Sequence, residues 1–530
     1  VSGRAAEGGP DATRTARDRL ILAVPVVVGL LAAWYVMRHE VLFDPDSGGY
    51  VDAARRIARS PAEVLRPRLG GQIVNVGLHP PLYPAALAVF GVVGGEIAGA
   101  RILNLAVLAA TLCLVAGTLR RRTSATTAAV AVWALVVSRG FVVRLHGFVM
   151  SDGLYLALAL GALVAADLAA SDLDDDRRRR RWTAAAGLLA AAAVLTRLVG
   201  VALVVALGWS ILLGDPDRRR GRRRATAAVT VAALPVVGWL AVQGWTRADT
   251  ARVGGAPIHL PEALESGREA VRLLLPELIV RTWLGTAAAA VVLVAGAVAL
   301  FVVPVVVGRW VRPTIDPARR LAGSLLAFGW CHLLVVVTAR LAVDRFIWID
   351  LRHLMPTWVA VVVAACLWWG SGRSEVVDRF RTAVVGATVV VLLGASIILF
   401  RSVTWPTGPW GNLRSQWGDS PIVAVVAEVP DGVVVHTNRP DITSLLAGRT
   451  SVALPLRSSP STGRPNPAFA SQIAEVCRDV RAGRGVVVLV DDGDPDWALP
   501  EEVVVRLVGV EPERRVEGGV RFSRAARRCG

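Results

Sequence analysis

The chain has 530 residues, is 54% hydrophobic and has a mean hydropathy of +0.51, which is too apolar for a water-soluble globule and implies many membrane spans. Its 59 basic residues are all Arg and leave a formal charge of +17. They stand in short runs between apolar segments, without the aromatic interleaving of a nucleic-acid groove, so nucleic acid is excluded as the partner.

Residues 1–19 are polar, Gly- and Arg-rich, and read as a disordered cytoplasmic tail. The first apolar run, 20–37, is followed by no small-residue cleavage site and reads as an anchor. Phe43-Asp44-Pro45-Asp46-Ser47-Gly48-Gly49-Tyr50 then places two carboxylates at the membrane surface ahead of a helix over 50–58. Tyr50, Ala53, Ala54, Ile57 and Ala58 form its apolar face. Asp46 or Ser47 would serve as its N-cap. A cap needs one such residue, so the second Asp points instead to a general base.

Further apolar runs cover 82–93, 98–119, 125–138, 151–168, 183–196, 199–213, 225–243, 284–307, 321–338, 355–369 and 382–399. Arg runs at 120–122, 177–181, 218–224, 309–320 and 373–381 mark cytoplasmic loops. If 82–93 crossed the membrane, all these loops would invert. It has 12 residues, where a span needs about 20, so it reads as a helix on the outer surface. The expected fold is therefore mainly α: about 11 transmembrane helices over 20–400 with a long first outer loop, 38–99. The short segments 183–196 and 199–213 meet at the polar joint Arg197.

On this topology the outer loops hold Asp44, Asp46 and His79, then Arg144, His146 and Asp152, then His259, and finally Asp344, Arg345, Asp350, Arg352 and His353. Interfacial loops are polar in any membrane protein. Asp, His and Arg converging from four loops on one face is a stronger signal than any one of them. Beyond about Trp405 strand-like runs (433–436, 452–456, 486–490, 503–508) alternate with helix-like runs (441–447, 470–482), giving a small extracytoplasmic α/β domain over 401–530. It has no Gly-rich phosphate loop and receives no catalytic role. Asp491-Asp492-Gly493-Asp494 reads as a polar turn.

Several of these elements resemble those of GT-C glycosyltransferases that use polyprenyl-phosphate sugars, the protein O-mannosyltransferase and aminoarabinose-transferase branch. They are the acidic first-loop stretch 43–50, His79-Pro80-Pro81-Leu82-Tyr83-Pro84, Arg101-Ile102-Leu103-Asn104, Ser151-Asp152-Gly153-Leu154, Leu195-Thr196-Arg197 and Arg352-His353-Leu354-Met355-Pro356, with His where the family usually has Tyr. Val435-His436-Thr437-Asn438-Arg439-Pro440 and Ala447-Gly448-Arg449 resemble the outer domain of bacterial members. Where some members have Asp-Glu in the first loop, this chain has Asp46-Ser47.

The resemblance implies a membrane enzyme that moves a sugar, mannose or arabinose, from a polyprenyl-phosphate donor to a hydroxyl on a protein, glycan or lipid. The setting is the outer face of a bacterial inner membrane. A hydroxyl attacking the anomeric carbon needs one base, from Asp46, Asp44 or Asp152. A phosphate leaving group needs cations rather than a proton, from Arg345, Arg352 or Arg144. Without a protein nucleophile the anomeric carbon inverts. Tyr50, His79, Tyr83, His146 and His353 are the expected substrate-binding residues. No cofactor is implied and no metal-ligand spacing exists. The competing classes are a secondary transporter, for which no buried acidic pair or two-fold repeat is visible, and a non-catalytic envelope scaffold. Finally, Cys477 and Cys529 are the two cysteines placed outside the membrane, where a disulfide is expected between them.

Overall fold

The computed structural model describes residues 12–38, 41–43, 45–64, 80–138, 140–171, 175–215, 217–244, 316–342, 351–370, 417–449, 451–458, 465–466, 468–491 and 499–525. The apolar runs become helices. They are α1 (Ala12–Val36), α2 (Pro45–Arg59), α3 (Leu82–Gly91), α4 (Glu96–Arg122), α5 (Ala125–Val136), α6 (Asp152–Ser171), α7 (Asp176–Thr196), α8 (Val201–Gly214), α9 (Arg218–Gly244), α10 (Pro317–Ala342) and α11 (Leu351–Gly370). Among the described residues five helices are long and apolar enough to cross a membrane: α1, α4, α6, α10 and α11, counted over their apolar parts. The expected spans over 284–307 and 382–399 lie outside the described residues.

The α6 helix, 20 residues long and so about 30 Å, defines two ends of the bundle. At its C-terminal end Asp167 is bonded by Arg122 from the end of α4 and by Arg320 from the start of α10. Close by in sequence, Arg224 of α9 bonds Asp215 at 2.6 Å and faces Asp176 at the start of α7. At its N-terminal end α6 meets α2, the loop before it and the break after α7. That break is short: Arg197 is extended, one 3-10 turn follows (Leu198–Gly200), and α8 begins. The Arg-rich helix ends thus gather at one end, and the acidic first-loop helix lies at the other.

The α3 helix has 10 residues, about 15 Å, shorter than a span needs, and packs on α2 and α4. Its turn into α4 needs bare backbone: a Cβ on Gly99 would stand 2.5 Å from the Gly91 nitrogen.

After the bundle come α12 (Pro421–Ala427), β1 (Val434–Thr437), α13 (Pro440–Leu445), β2 (Ser451–Ala453), α14 (Phe469–Arg481), β3 (Gly485–Val490), α15 (Glu501–Val508), β4 (Val510–Val516) and β5 (Gly519–Ala525). The sheet order is β2-β1-β3-β5-β4, with β2, β1 and β3 parallel and β5 and β4 antiparallel to their neighbours. The fully buried β3 alternates its faces as a strand must. Val486, Val488 and Val490 join the same contiguous buried cluster as the bundle core, while Val487 and Leu489 pack with Ile473, Val476 and Val504 under α14 and α15.

Two expectations in this region fail. The run 503–508 is helical. Glu501 and Glu502 sit in its first turn, Val504 and Val508 are buried one turn apart, and Gly509 closes it in the left-handed region at φ 68°. Strand β4 was not expected, because Val510–Val516 is a charged, mostly exposed edge with a bulge at Pro512. Cys477 is disulfide-bonded, and Cys113, Cys331 and Cys366 are free. Cys529 lies outside the described residues.

Candidate active site

The sequence-predicted helix over 50–58 starts earlier than expected, at Pro45. Proline suits a first helical position because its missing N–H costs nothing there. Asp46 is thus inside the first turn, where the helix dipole favours a carboxylate, and is not the cap. Ser47, Tyr50, Val51 and Ala54 form its buried face and Gly48 is buried against Asp441; of the expected stripe Tyr50 and Ala54 are buried, Ala53 and Ile57 half-buried and Ala58 exposed.

The second loop holds that face. Leu42 pairs with Phe148 in a parallel bridge, accepting from the Val149 amide and donating to the Gly147 carbonyl, each at 2.9 Å. Ser47 donates to the Val149 carbonyl at 3.0 Å, and the Tyr50 and Ser151 hydroxyls are 2.9 Å apart. Asn104, of the Arg-Ile-Leu-Asn element, donates to the Phe148 carbonyl at 2.8 Å and fixes the loop to α4. Tyr83 meets Tyr50 edge-on, with ring centroids 4.9 Å apart. Burial pushes both phenols well above their ordinary range. The Arg144 guanidinium lies 4.6 Å over the Phe148 ring.

Asp46 meets Arg352 of α11 at 3.5 Å. Two sequence-predicted residues, 306 positions apart, thus face each other from the first turns of two helices. Their side chains keep 27% and 17% of their exposure, so both remain within reach of a ligand. Asp152 differs. It pairs with Arg197 at 2.5 Å and is 3% exposed, which makes it an anchor between the start of α6 and the break after α7.

Behind Arg352 runs a buried polar chain. The His332 Nε2 donates to the His353 carbonyl at 3.0 Å, so Nδ1 accepts from the Tyr155 hydroxyl at 3.0 Å. The side chains of Tyr50, Tyr83, His146 and His353 are buried. His146 bonds the Phe141 carbonyl through Nδ1 at 2.8 Å, and burial lowers its pKa to about 4, so the ring is neutral. Asp44, His79, His259, Asp344, Arg345 and Asp350 lie outside the described residues. Among the described residues no group of His, Cys, Asp or Glu is arranged to hold a metal ion.

Arg197 entered the sequence reading only as a polar joint and a motif residue, and neither it nor His332 received a role. The available signal was their position: a charged or ionisable residue among apolar runs needs a partner. Asp152 and Tyr155, both opening α6, are those partners.

Residues 78–242 match the family described as dolichyl-phosphate-mannose-protein mannosyltransferase. The Archaeoglobus fulgidus oligosaccharyltransferase, in complex with Zn and sulfate, superposes with a TM-score of 0.51 at 12% identity over 89% of this chain and 68% of that one. The fold is that of the GT-C glycosyltransferases. The same archaeal enzyme, AglB, in complex with an inhibitory peptide and a dolichol-phosphate, gives a TM-score of 0.50 at 14% identity, over 91% and 70% of the two chains. ArnT from Cupriavidus metallidurans, in the apo state, is similar over 97% of this chain and 99% of its own, at 15% identity and a TM-score of 0.49. No curated protein matches in sequence. The matched family and these neighbours are glycosyltransferases that use lipid-linked sugars, as the motifs imply.

Proposed function

We propose that the chain transfers a sugar, mannose or arabinose, from a polyprenyl phosphate to an acceptor hydroxyl, with inversion, at the outer face of a bacterial inner membrane. The observation that carries this reading is the Asp46–Arg352 pair, half-exposed at the end of the bundle away from the Arg-rich helix ends. The positive-inside rule puts those Arg-rich ends in the cytoplasm and the pair outside.

Each partner then has one task. Arg352, always charged and fork-shaped, moves from Asp46 to the donor phosphate and holds the charge that builds on the leaving group. Asp46, released, accepts the proton of the attacking hydroxyl. The anomeric carbon passes through an oxocarbenium-like state, and the bond to the phosphate oxygen breaks as the bond to the acceptor oxygen forms. Arg345 and Arg144 are further cations for the phosphate, with Asp44 and Asp152 as the alternative carboxylates. Tyr50, Tyr83, His146 and His353 form the wall that orients α2 and α11. The dolichol-phosphate held by AglB supports a lipid phosphate as the donor.

The test is the chain reconstituted in vesicles with polyprenyl-phosphate-mannose or polyprenyl-phosphate-arabinose. Sugar transfer by wild type, with donor affinity lost in Arg352→Ala, supports the reading. Donor affinity unchanged by that substitution contradicts the phosphate assignment.

A further inference from the structure

The C-terminal module is built onto the helix that carries Asp46. Helix α13 lies against α2 so closely that a Cβ on Gly48 would stand 3.1 Å from the Asp441 Cα. Two turns further along, Arg55 donates from Nη1 to the Ser444 carbonyl at 3.1 Å, and its Nε faces Glu96 at 3.5 Å. One side chain thus joins α2, the start of α4 and α13.

The loop entering α13 is held from within the sheet. Asn438 donates to the Val490 carbonyl and accepts from the Val490 amide, both at 2.8 Å, locking the ends of β1 and β3 together. Arg439 forks onto Asp441 at 3.0 and 2.8 Å, and its amide donates to Thr437 Oγ1 at 3.1 Å. Arg439 and Asp441 are both buried. A two-bond Arg–carboxylate pair fixes direction as well as distance, so α13 meets α2 as a set surface. The face of the sheet beneath it, Val435, Val486, Val488 and Val490, is continuous with the bundle core.

We infer that the C-terminal module is a brace for the catalytic helix: through α13 it presses on α2 at Gly48 and Arg55 and so sets where the Asp46 carboxylate stands relative to Arg352. Gly48 and Arg55 are positioning residues acting through Asp46, and the inference rests on Asp46 being the base. Ser47 and Tyr50 hold α2 from the opposite side through Val149 and Ser151, so a push at Gly48 tilts the helix within that cradle. A reacting group displaced by about 1 Å loses up to about 10²-fold in rate.

The test uses the full-length chain in vesicles, with kcat and donor affinity measured separately. Gly48→Ala strengthens α2 as a helix, since alanine is the better helix former, and harms it only through Asp441. Arg55→Ala removes the bond to Ser444. Each is expected to lower kcat about 10-fold with donor affinity within about 2-fold of wild type. Arg55→Lys, which can still donate to Ser444, should recover most of the loss, and Glu96→Gln, which removes only the other partner of Arg55, should act as wild type. In an Asp46→Asn background Arg55→Ala should have no further effect, because the two act through one carboxylate. If Asp46→Asn is inactive while both Gly48→Ala and Arg55→Ala turn over normally, the brace is wrong. A parallel fall of kcat and donor affinity, or additive losses in the Asp46→Asn background, also overturns it. Full turnover in Asp46→Asn would instead remove the base reading on which it stands.

Discussion

The two ends of α6 use the same residue types to opposite effect. At the Arg-rich end the Asp167 side chain is 5% exposed and bonded by both Arg122 and Arg320. At the other end Asp152 is equally buried beside Arg197, but at that same end the Asp46–Arg352 pair is longer and partly open. A buried carboxylate with charged bonds to both oxygens, as at Asp167, has little left to offer a substrate. A long pair open on one side can exchange partners at lower cost, because water and an incoming phosphate can replace the lost contact. Ion pairing alone therefore does not separate these carboxylates; pair length together with residual exposure does, and on that ground Asp46 is the one proposed as the base.

That contrast can be broken most forcefully at the closed pairs. Asp167→Ala would leave two arginines uncompensated and should destabilise the protein by about 3–5 kcal/mol, seen as a large fall in thermal unfolding temperature in detergent. Asp152→Asn should act in the same direction through Arg197 while keeping turnover per folded molecule within a few-fold of wild type. A specific loss of turnover in Asp152→Asn at normal stability would transfer the base role to Asp152.

The next effect concerns the module that meets α2. His436 of β1 is buried, which lowers its pKa from the usual 6.5 to about 4, with Asp479 at 3.8 Å opposing the shift. The folded state therefore binds fewer protons than the unfolded one between these values. Stability is complete above about pH 6.5 and is lost as pH falls toward 4, by on the order of 3 kcal/mol. Hydrogen exchange of the β1 and β3 amides should accelerate across that window, and His436→Asn should flatten the dependence.

At the open pair, Arg352→Ala should weaken donor binding about 10- to 100-fold, the worth of one charged hydrogen-bonded contact to phosphate, with acceptor KM little changed. The smallest effect is expected for Tyr50→Phe, which removes the bond to Ser151 at a cost of about 1 kcal/mol without touching either charged partner.

Most helices were legible in the sequence because apolar length and Arg punctuation are local signals. The shortness of α3, 10 residues against the 12 of its apolar run, was legible in the same way. The misreading of 503–508 shows the limit: three consecutive β-branched residues look like a strand, and only Glu501, Glu502 and Gly509 at its ends announce a helix. Strand β4 was hidden because its partner β5, rather than its own composition, makes it a strand. In the site, Asp46 and Arg352 were named from the motif resemblance, but nothing local in a sequence says that residues 306 apart touch. The ion pair of Asp152 was hidden for a related reason: its partner Arg197 lies 45 residues away. The contact between α13 and α2 was invisible because it depends on a glycine being approached and on Arg55 reaching a backbone carbonyl far along the chain.

The most direct test is turnover of Asp46→Asn in vesicles loaded with polyprenyl-phosphate sugar, with donor affinity measured in the same preparation. The expected result is donor bound as tightly as by wild type, or more tightly since Arg352 is no longer shared, with sugar transfer lowered by about 10²-fold or more. Transfer at the wild-type rate with donor bound would contradict the assignment of Asp46 as the base.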